Sequence, residues 1–251
     1  MSIYITSLPR KNGPIVVNFP SPFEQAPAVF VTPYWKGQGT PVGSVETVLS
    51  PVTANGCKIS AANQDSNYVV NVLAIDPKDT LIGTLGIQAG VQPRMVAGQT
   101  AINFADPLKS SDPVALLAPQ WTAPVGFTEY VVASASSEIA TYSQNMAPGG
   151  AYEIDYLAAD RGASSFQDAF TGFTQLETAT YNKTGSGMYR IYFQSPFSAP
   201  PVVFLSPWWN GTQSTVSSIE TVVDVTSEYF DAVSGNSGPN YFVNWMAFGN
   251  A

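Results

Sequence analysis

Short stretches of alternating or continuous apolar residues recur along the chain, and turn-forming residues separate them. The segments VVNF, AINF and RIYF alternate between apolar and polar positions, as do SVETVL, FTEYVV and SIETVV. The segments AVFVT, VALLA and VVFLS are continuous apolar runs flanked by prolines, which is typical of buried strands. No stretch keeps a helical apolar period over several turns, so the pattern predicts an all-β protein.

The same order of segments occurs three times. The stretch that begins at Phe19, FPSPFEQAPAVFVTPYW, aligns without a gap with the stretch from Phe193, FQSPFSAPPVVFLSPWW, and a more divergent copy lies between them. Four residue types recur in the same order in all three copies. They are a proline (Pro22, Pro107 and Pro196), a tryptophan (Trp35, Trp121 and Trp209), a glutamate (Glu46, Glu129 and Glu220) and a tyrosine (Tyr68, Tyr152 and Tyr241). We place the copies at residues 1–77, 78–160 and 161–251 and expect each to fold as an antiparallel β-sandwich.

Composition narrows the classes of function. Lys, Arg, Asp and Glu make up 11% of the residues, which is less than half the roughly 25% of an average globular protein. The surface must therefore carry uncharged hydrogen-bonding groups, which suit neutral ligands such as sugars. The net charge of −8 disfavours nucleic acid and anionic membrane surfaces as partners, because both attract Lys and Arg. No apolar run is long enough to insert into a membrane.

The residues needed for most catalytic and metal sites are scarce. The chain contains no histidine and a single cysteine, Cys57, so we expect neither an enzyme nor a bound metal or cofactor. Cys57 aligns with Phe230, which predicts a buried and inert thiol. The N-terminal residues lack the pattern of a signal peptide. We expect synthesis in the cytoplasm, and release by a non-classical route remains open.

The repeated pattern resembles the H-type lectin family, which includes the snail agglutinins and the C-terminal module of the discoidins. The resembling elements are the opening FPSPF, FADPL and FQSPF, the apolar strand that follows (PAVF, PVAL and PVVF), and closing strands such as NWMAFG. The resemblance implies six-stranded antiparallel sandwiches that assemble as trimers and bind galactose or N-acetylgalactosamine between protomers. Three tandem copies on one chain then imply a covalent trimer packed around a pseudo-threefold axis.

Two features of that family are missing here. The family's sugar-binding arginine is replaced by Gly43, Gly126 and Ser217 in the three copies. The Trp–His pair that precedes the last strand in the family is replaced by polar loops. The resemblance therefore predicts the fold more directly than it predicts the sugar.

Six of the repeated residues are candidates for ligand contacts. An exposed Trp35, Trp121 or Trp209 could stack on a pyranose face, and the alternative is that each tryptophan plugs one end of the sandwich. Glu46, Glu129 and Glu220 are interpreted as the charge that all copies keep. Each carboxylate could accept hydrogen bonds from sugar hydroxyls. Alternatively, the three could meet at the axis or pair across copies, or simply face solvent.

The loops before the first and third closing strands are the remaining candidates. They carry Asn63, Asp65 and Asn67 in the first copy, and Asn236 and Asn240 in the third. Short polar side chains on a rigid sandwich can bind hydroxyl groups, although the same residues are common in ordinary turns. The leading interpretation is a lectin with up to three sites at the boundaries between copies. The alternative is a structural or adhesive assembly protein, such as a viral or phage appendage component, and a homo-oligomer is compatible with either.

Overall fold

The chain folds into β-strands in every region that its computed structural model describes. The described residues are 3–10, 13–37, 46–61, 66–78, 86–93, 100–104, 106–122, 130–136, 139–144, 153–165, 172–210 and 220–251. The prediction of an all-β protein is confirmed. No helix among these residues has the length and apolar character needed to cross a membrane.

Each repeat contributes strands in the same order. The first contains β1 (Ile3–Pro9), β2 (Ile15–Asn18), β3 (Ala28–Trp35), β4 (Glu46–Thr53), β5 (Gly56–Ala61) and β6 (Tyr68–Ile75). The second contains β7 (Ile87–Pro93), β8 (Thr100–Asn103), β9 (Val114–Trp121), β10 (Tyr130–Ala135), β11 (Ile139–Gln144) and β12 (Glu153–Ala159). The third contains β13 (Gly162–Ser165), β14 (Gln175–Asn182), β15 (Gly187–Tyr192), β16 (Val202–Trp209), β17 (Thr221–Val225), β18 (Tyr229–Ser234) and β19 (Tyr241–Gly249). As far as the described residues extend, the alternating and continuous apolar segments of the sequence are thus strands in all three repeats.

The strands form three sheets, and each sheet joins two repeats. The sheet orders are β1-β6-β3-β17-β18-β15, β2-β5-β4-β9-β12-β7 and β13-β14-β19-β16-β10-β11-β8. Pairing inside a repeat is antiparallel, as expected, whereas the junctions β3–β17, β4–β9 and β10–β16 are parallel. The sequence predicted closed sandwiches and did not predict sheets that continue from one repeat into the next.

Apolar residues fill the space inside each repeat and also the centre of the molecule. In the first repeat, Val29, Val48, Ile59 and Val72 come from both half-sheets and pack together, and the third repeat has a similar core of its own. A separate central cluster draws residues from all three repeats. Its members include Phe30, Leu116 and Phe204, which occupy the same position of β3, β9 and β16. The repeats are therefore joined by packing as well as by backbone pairing.

The FPSPF motif forms a corner against a hairpin. The backbone N–H groups of Phe19 and Phe23 donate to the carbonyl oxygens of Asn55 and Ala54, each at 2.9 Å. The two phenyl rings meet edge to face at 4.9 Å. Phe193 and Phe197 repeat this arrangement in the third repeat, with the same ring separation. The residues that carry the family resemblance therefore have a structural role.

Buried amides fasten the repeats to one another across the seams. Asn71 of the first repeat donates through Nδ2 to the carbonyl of Val203 in the third, at 2.9 Å. Asn244 occupies the same position in the third repeat and donates to the carbonyl of Ala115 in the second, also at 2.9 Å. Both asparagines are almost fully buried. Water is excluded from the seam, and each amide supplies the hydrogen bond that water would otherwise make to the buried carbonyl.

Asp155 takes the corresponding position in the second repeat. Its Oδ2 accepts a hydrogen bond from the backbone N–H of Val29 at 2.9 Å, and Oδ1 is buried with no hydrogen-bond partner among the described residues. Complete burial raises the pKa of Asp155 well above its usual value, the Val29 N–H opposes this shift, and the charge of Glu153 adds to it. The carboxyl group is therefore held in its protonated form over a wider pH range than an exposed aspartate.

Replacing Asp155 by Asn is expected to stabilise the protein above neutral pH. The pKa of Asp155 is higher in the folded state than in the unfolded state. Its contribution to the free energy of unfolding is therefore complete below the unfolded pKa of about 3.9 and is lost as pH rises through the folded pKa. Asparagine cannot ionise, so the Asp155→Asn variant should gain about 1–3 kcal/mol at alkaline pH and lose this part of the pH dependence. Urea unfolding between acidic and alkaline pH measures both effects.

The exposed Asp106 of the same repeat supplies the control, since Asp106→Asn removes a carboxylate that is not buried and should change stability by less than about 0.5 kcal/mol. An Asp155→Asn variant that is less stable than wild type at alkaline pH would contradict the protonated state.

Candidate ligand-binding site

The three tryptophans end the equivalent strands β3, β9 and β16, but they differ in exposure. Trp35 is 5% exposed and packs against Tyr68 with ring centroids 5.0 Å apart. A Cβ added at Gly37 would overlap the Trp35 ring, so the chain lies directly over it. Trp121 and Trp209 are half-buried. Trp35 therefore plugs the first repeat, while Trp121 and Trp209 keep surface for a ligand.

Glu220 is buried and serves as an acceptor for two tyrosines. Glu220 is only 4% exposed. Its carboxylate accepts hydrogen bonds from the hydroxyls of Tyr189 at 2.7 Å and Tyr241 at 2.5 Å. Burial and the charge of Glu220 together raise the pKa of Tyr189 well above its usual value, so this hydroxyl remains a donor. The interpretation of Glu220 as a solvent-facing charge is wrong.

Glu46 is equally buried in the first repeat and forms an ion pair with Arg10. Burial lowers the pKa of Arg10 to about 10, which still leaves the guanidinium charged at neutral pH. The interpretation of Glu46 as a solvent-facing charge is therefore also wrong, and its partner lies in its own repeat. Glu129 lies outside the described residues. A direct sugar contact by Glu46 or Glu220 would require the carboxylate to leave these partners.

Lys183 is the counterpart of Arg10 in the third repeat. The two backbone N–H groups donate to equivalent tyrosine carbonyls, from Arg10 to Tyr68 at 2.8 Å and from Lys183 to Tyr241 at 3.0 Å. Lys183 is 1% exposed, and burial lowers its pKa while the charge of Glu220 opposes the shift. A buried base beside the buried glutamate is thus common to the first and third repeats.

The ammonium group of Lys183 fixes the loop that follows β18. Nζ donates to the carbonyl oxygens of Gly185 at 2.9 Å, Ser234 at 3.3 Å and Asn236 at 2.6 Å. The Ser234 hydroxyl also donates to the Asn236 carbonyl, at 3.1 Å. This network holds residues 234–236 in one conformation and leaves their outer side facing solvent.

Sequence reasoning missed these basic residues. Arg10 and Arg94 each follow a proline at the end of a leading strand, and Lys183 occupies the same position after β14. The repeated Pro-Arg pairs at 9–10 and 93–94 were the available signal. The interpretation that glutamate is the charge that all copies keep is therefore incomplete, since each repeat also keeps a base.

Two of the predicted loop residues occupy equivalent exposed positions. The Asn67 carbonyl accepts a hydrogen bond from the N–H of Lys36, and the Asn240 carbonyl accepts one from Asn210, both at 2.9 Å. Lys36 and Asn210 directly follow Trp35 and Trp209, so each exposed asparagine lies next to a strand-end tryptophan. Asn236 is half-buried. Asn63 and Asp65 lie outside the described residues.

The third repeat therefore brings together the most complete set of candidate groups, with Trp209, Asn236 and Asn240 around a fixed loop. Within the described ranges, no three Asp, Glu or Cys side chains converge as a set of metal ligands. Comparison with known protein families, curated proteins and solved structures gives no match. The resemblance to H-type lectins thus remains a prediction from the sequence.

Replacing Glu220 by Ala is expected to cost about 3 kcal/mol of the free energy of unfolding, because two tyrosine hydroxyls and the Lys183 ammonium lose a buried acceptor or counter-charge. Chemical denaturation measures this loss. Glu228 is exposed in the same repeat, and Glu228→Ala should change stability by less than about 0.5 kcal/mol. Equal effects of the two substitutions would show that Glu220 is not a structural acceptor.

Proposed function

We propose that the chain is a non-catalytic carbohydrate-binding protein, organised as a single-chain counterpart of an H-type lectin trimer. The observation that carries the proposal is that the half-buried Trp209 and the exposed Asn240 lie next to one another at a strand end, where the Asn210 N–H donates to the Asn240 carbonyl at 2.9 Å, beside a loop fixed by Lys183. An aromatic face can cover the C–H side of a pyranose, and an amide can both donate to and accept from its hydroxyls.

The rigidity of this loop favours binding. Lys183 holds the Ser234 and Asn236 carbonyls from the protein side, so these groups need no reordering when a ligand arrives. A preorganised site avoids part of the entropy cost of binding. The small share of charged residues, 11%, supports a neutral ligand over a phosphorylated or sulfated one.

The three repeats support several sites of unequal quality. The chain covers Trp35 in the first repeat, so a site there would depend on Asn67 without an aromatic platform. Trp121 keeps exposed surface in the second repeat. We therefore expect one strong and one or two weaker sites, and avidity for clustered glycans would raise the working affinity.

Replacing Trp209 or Asn240 by Ala is expected to weaken glycan binding about tenfold at the third-repeat site, because each substitution removes a stacking or hydrogen-bonding group. A glycan array identifies the sugar, and titration of the monovalent sugar measures the loss. Agglutination of red cells should fall more steeply than monovalent binding, because simultaneous engagement of several sites is lost.

The matched control is Asn67→Ala, which removes the equivalent amide where the tryptophan is covered. It should have little effect on the strong site. Circular dichroism verifies that each variant is folded, and Asn240→Ala remains informative if Trp209→Ala unfolds. A broad array on which wild type binds no glycan would refute the proposal.

A second candidate, assembly into a larger structure, is favoured by the sheet edges. Among the described strands, β1 and β7 each end a sheet, and their sequences IYITSLP and IQAGVQP contain no charged residue. Charged residues normally protect exposed edges against pairing with other chains. The equivalent edge of β14 is covered by β13.

If assembly through β1 is the function, wild type should form large oligomers at increasing concentration and Thr6→Lys should remain monomeric, because a charge at the edge opposes strand pairing. Multi-angle light scattering measures the mass of both. Monomeric wild type at all concentrations would exclude this candidate.

A further inference from the structure

The outer surface of the third repeat carries a group of aromatic and charged side chains at the edge strand β15. Tyr189 and Ile191 point into the core of the repeat, so the alternating residues Met188, Arg190 and Tyr192 point outward. Met188 is 65% exposed and Tyr192 is 66% exposed. These are the two most exposed large apolar side chains among the described residues, and they lie on the same face of one strand.

The neighbouring strand β18 completes the group. Arg190 forms a two-pronged ion pair with Asp231, with Nε–Oδ1 and Nη2–Oδ2 distances of 2.8 Å. Its guanidinium lies 3.8 Å from the ring centroid of Tyr229. Tyr192 meets the Tyr229 ring edge to face, with centroids 5.8 Å apart. We call Met188, Arg190, Tyr192, Tyr229 and Asp231 the outer platform.

The other repeats do not carry this platform. In the first repeat, the strand registers pair Val16 with Lys58 and Asn18 with Gly56, where the third pairs Arg190 with Asp231 and Tyr192 with Tyr229. Ala101 and Asn103 occupy the outward positions of the corresponding strand in the second repeat. Inward residues are apolar in all three repeats because the fold requires them. Among the described residues, the two outward tyrosine rings and the Arg–Asp ion pair occur only in the third repeat, so the fold does not require them.

The charges on the platform indicate the class of ligand. Arg190 and Asp231 neutralise one another, so the pair offers no net charge to attract an ionic partner. It still offers fixed hydrogen-bond donors, because a guanidinium has five N–H donors and the Arg190 side chain is 43% exposed. The Asp231 side chain is only 7% exposed, so its role is to hold the guanidinium in place. Tyr192 adds an exposed aromatic ring next to them. A neutral ligand with hydroxyls on its edge and C–H groups on one face matches this combination.

We propose that the outer platform binds a neutral hexopyranose, with the C–H face of the sugar against Tyr192 and its hydroxyls at the exposed guanidinium of Arg190, which Asp231 holds in place. This site is separate from the loop-end site at Trp209 and Asn240, because the platform lies on the outward face of the first–third sheet. The chain then binds carbohydrate at two different kinds of site, one repeated in the fold and one confined to the third repeat.

Titration with glucose, galactose, mannose and N-acetylglucosamine, followed by NMR of the ¹⁵N-labelled protein, tests the proposal. At least one neutral sugar should shift the Arg190 Nε–H signal and the amides of 188–192, whereas N-acetylneuraminic acid, an anionic sugar, should not. Tyr192→Ala should weaken this binding roughly three- to tenfold, because it removes the stacking surface. Arg190→Lys should also weaken this binding, since lysine keeps the positive charge but lacks the planar set of N–H donors of the guanidinium group.

Asn18→Ala is the matched control, because Asn18 is exposed and occupies the position of Tyr192 in the first repeat. It should leave the affinity unchanged. The proposal is overturned if no neutral sugar shifts these signals, if Tyr192→Ala binds as wild type does, or if Tyr192→Ala changes the oligomeric mass, which would make the platform a protein contact. Shifts confined to residues 234–240 would overturn it while leaving the loop-end site intact. Shifts at 188–192 that persist in Asn240→Ala would establish that the two sites are independent.

Discussion

Each repeat brings two half-sheets, with three strands in each for the first and second repeats and with three and four strands for the third. The strands β3, β4 and their counterparts would present bare backbone N–H and C=O groups if the half-sheets stopped there. Unpaired edges of this kind are costly when buried and prone to aggregation when exposed. The parallel junctions β3–β17, β4–β9 and β10–β16 remove the problem by continuing each half-sheet with strands of another repeat. The central cluster around Phe30, Leu116 and Phe204 can then form, because the junctions bring β3, β9 and β16 together.

The seams also constrain which polar residues the core accepts. Asn71 and Asn244 each receive a hydrogen bond at Oδ1, from Ser7 and Thr180, both at 2.7 Å. The residue paired with Asp155 is Val91, which has no hydroxyl. The hydroxyl that donates to Oδ1 in the first and third repeats is therefore missing, and Oδ1 of Asp155 has no hydrogen-bond partner among the described residues. The seams therefore share one arrangement of side chains, and the second repeat departs from it at both paired positions.

Much of the strand pattern could be predicted from the sequence, because alternation and proline-bounded apolar runs depend only on neighbouring residues. The sharing of sheets could not, since the pairing of Val222 with Tyr34 leaves no trace in local periodicity. Alternation also cannot reveal that Arg10 covers Glu46 or that two tyrosine hydroxyls donate to Glu220. The covering of Trp35 by Gly37 was equally hidden, because the sequence does not indicate whether the chain folds back over a ring two residues earlier. The structure was therefore needed to tell which of the candidate ligand-binding residues are exposed.

The junction between β3 and β17 has a consequence for how the chain acquires its structure. It joins residues near the beginning of the sequence to residues near position 222, so the sheet that contains β1 cannot be completed until most of the polypeptide has been synthesised. Contacts between such distant segments slow folding, because a long loop must close before it gains any stabilisation. During translation, the junction edge of the first repeat would stay unpaired until the third repeat has been synthesised. We expect the formation of the β3–β17 junction to be the rate-limiting step of folding. This step is unimolecular and independent of protein concentration, whereas three separate subunits would have to find one another by diffusion.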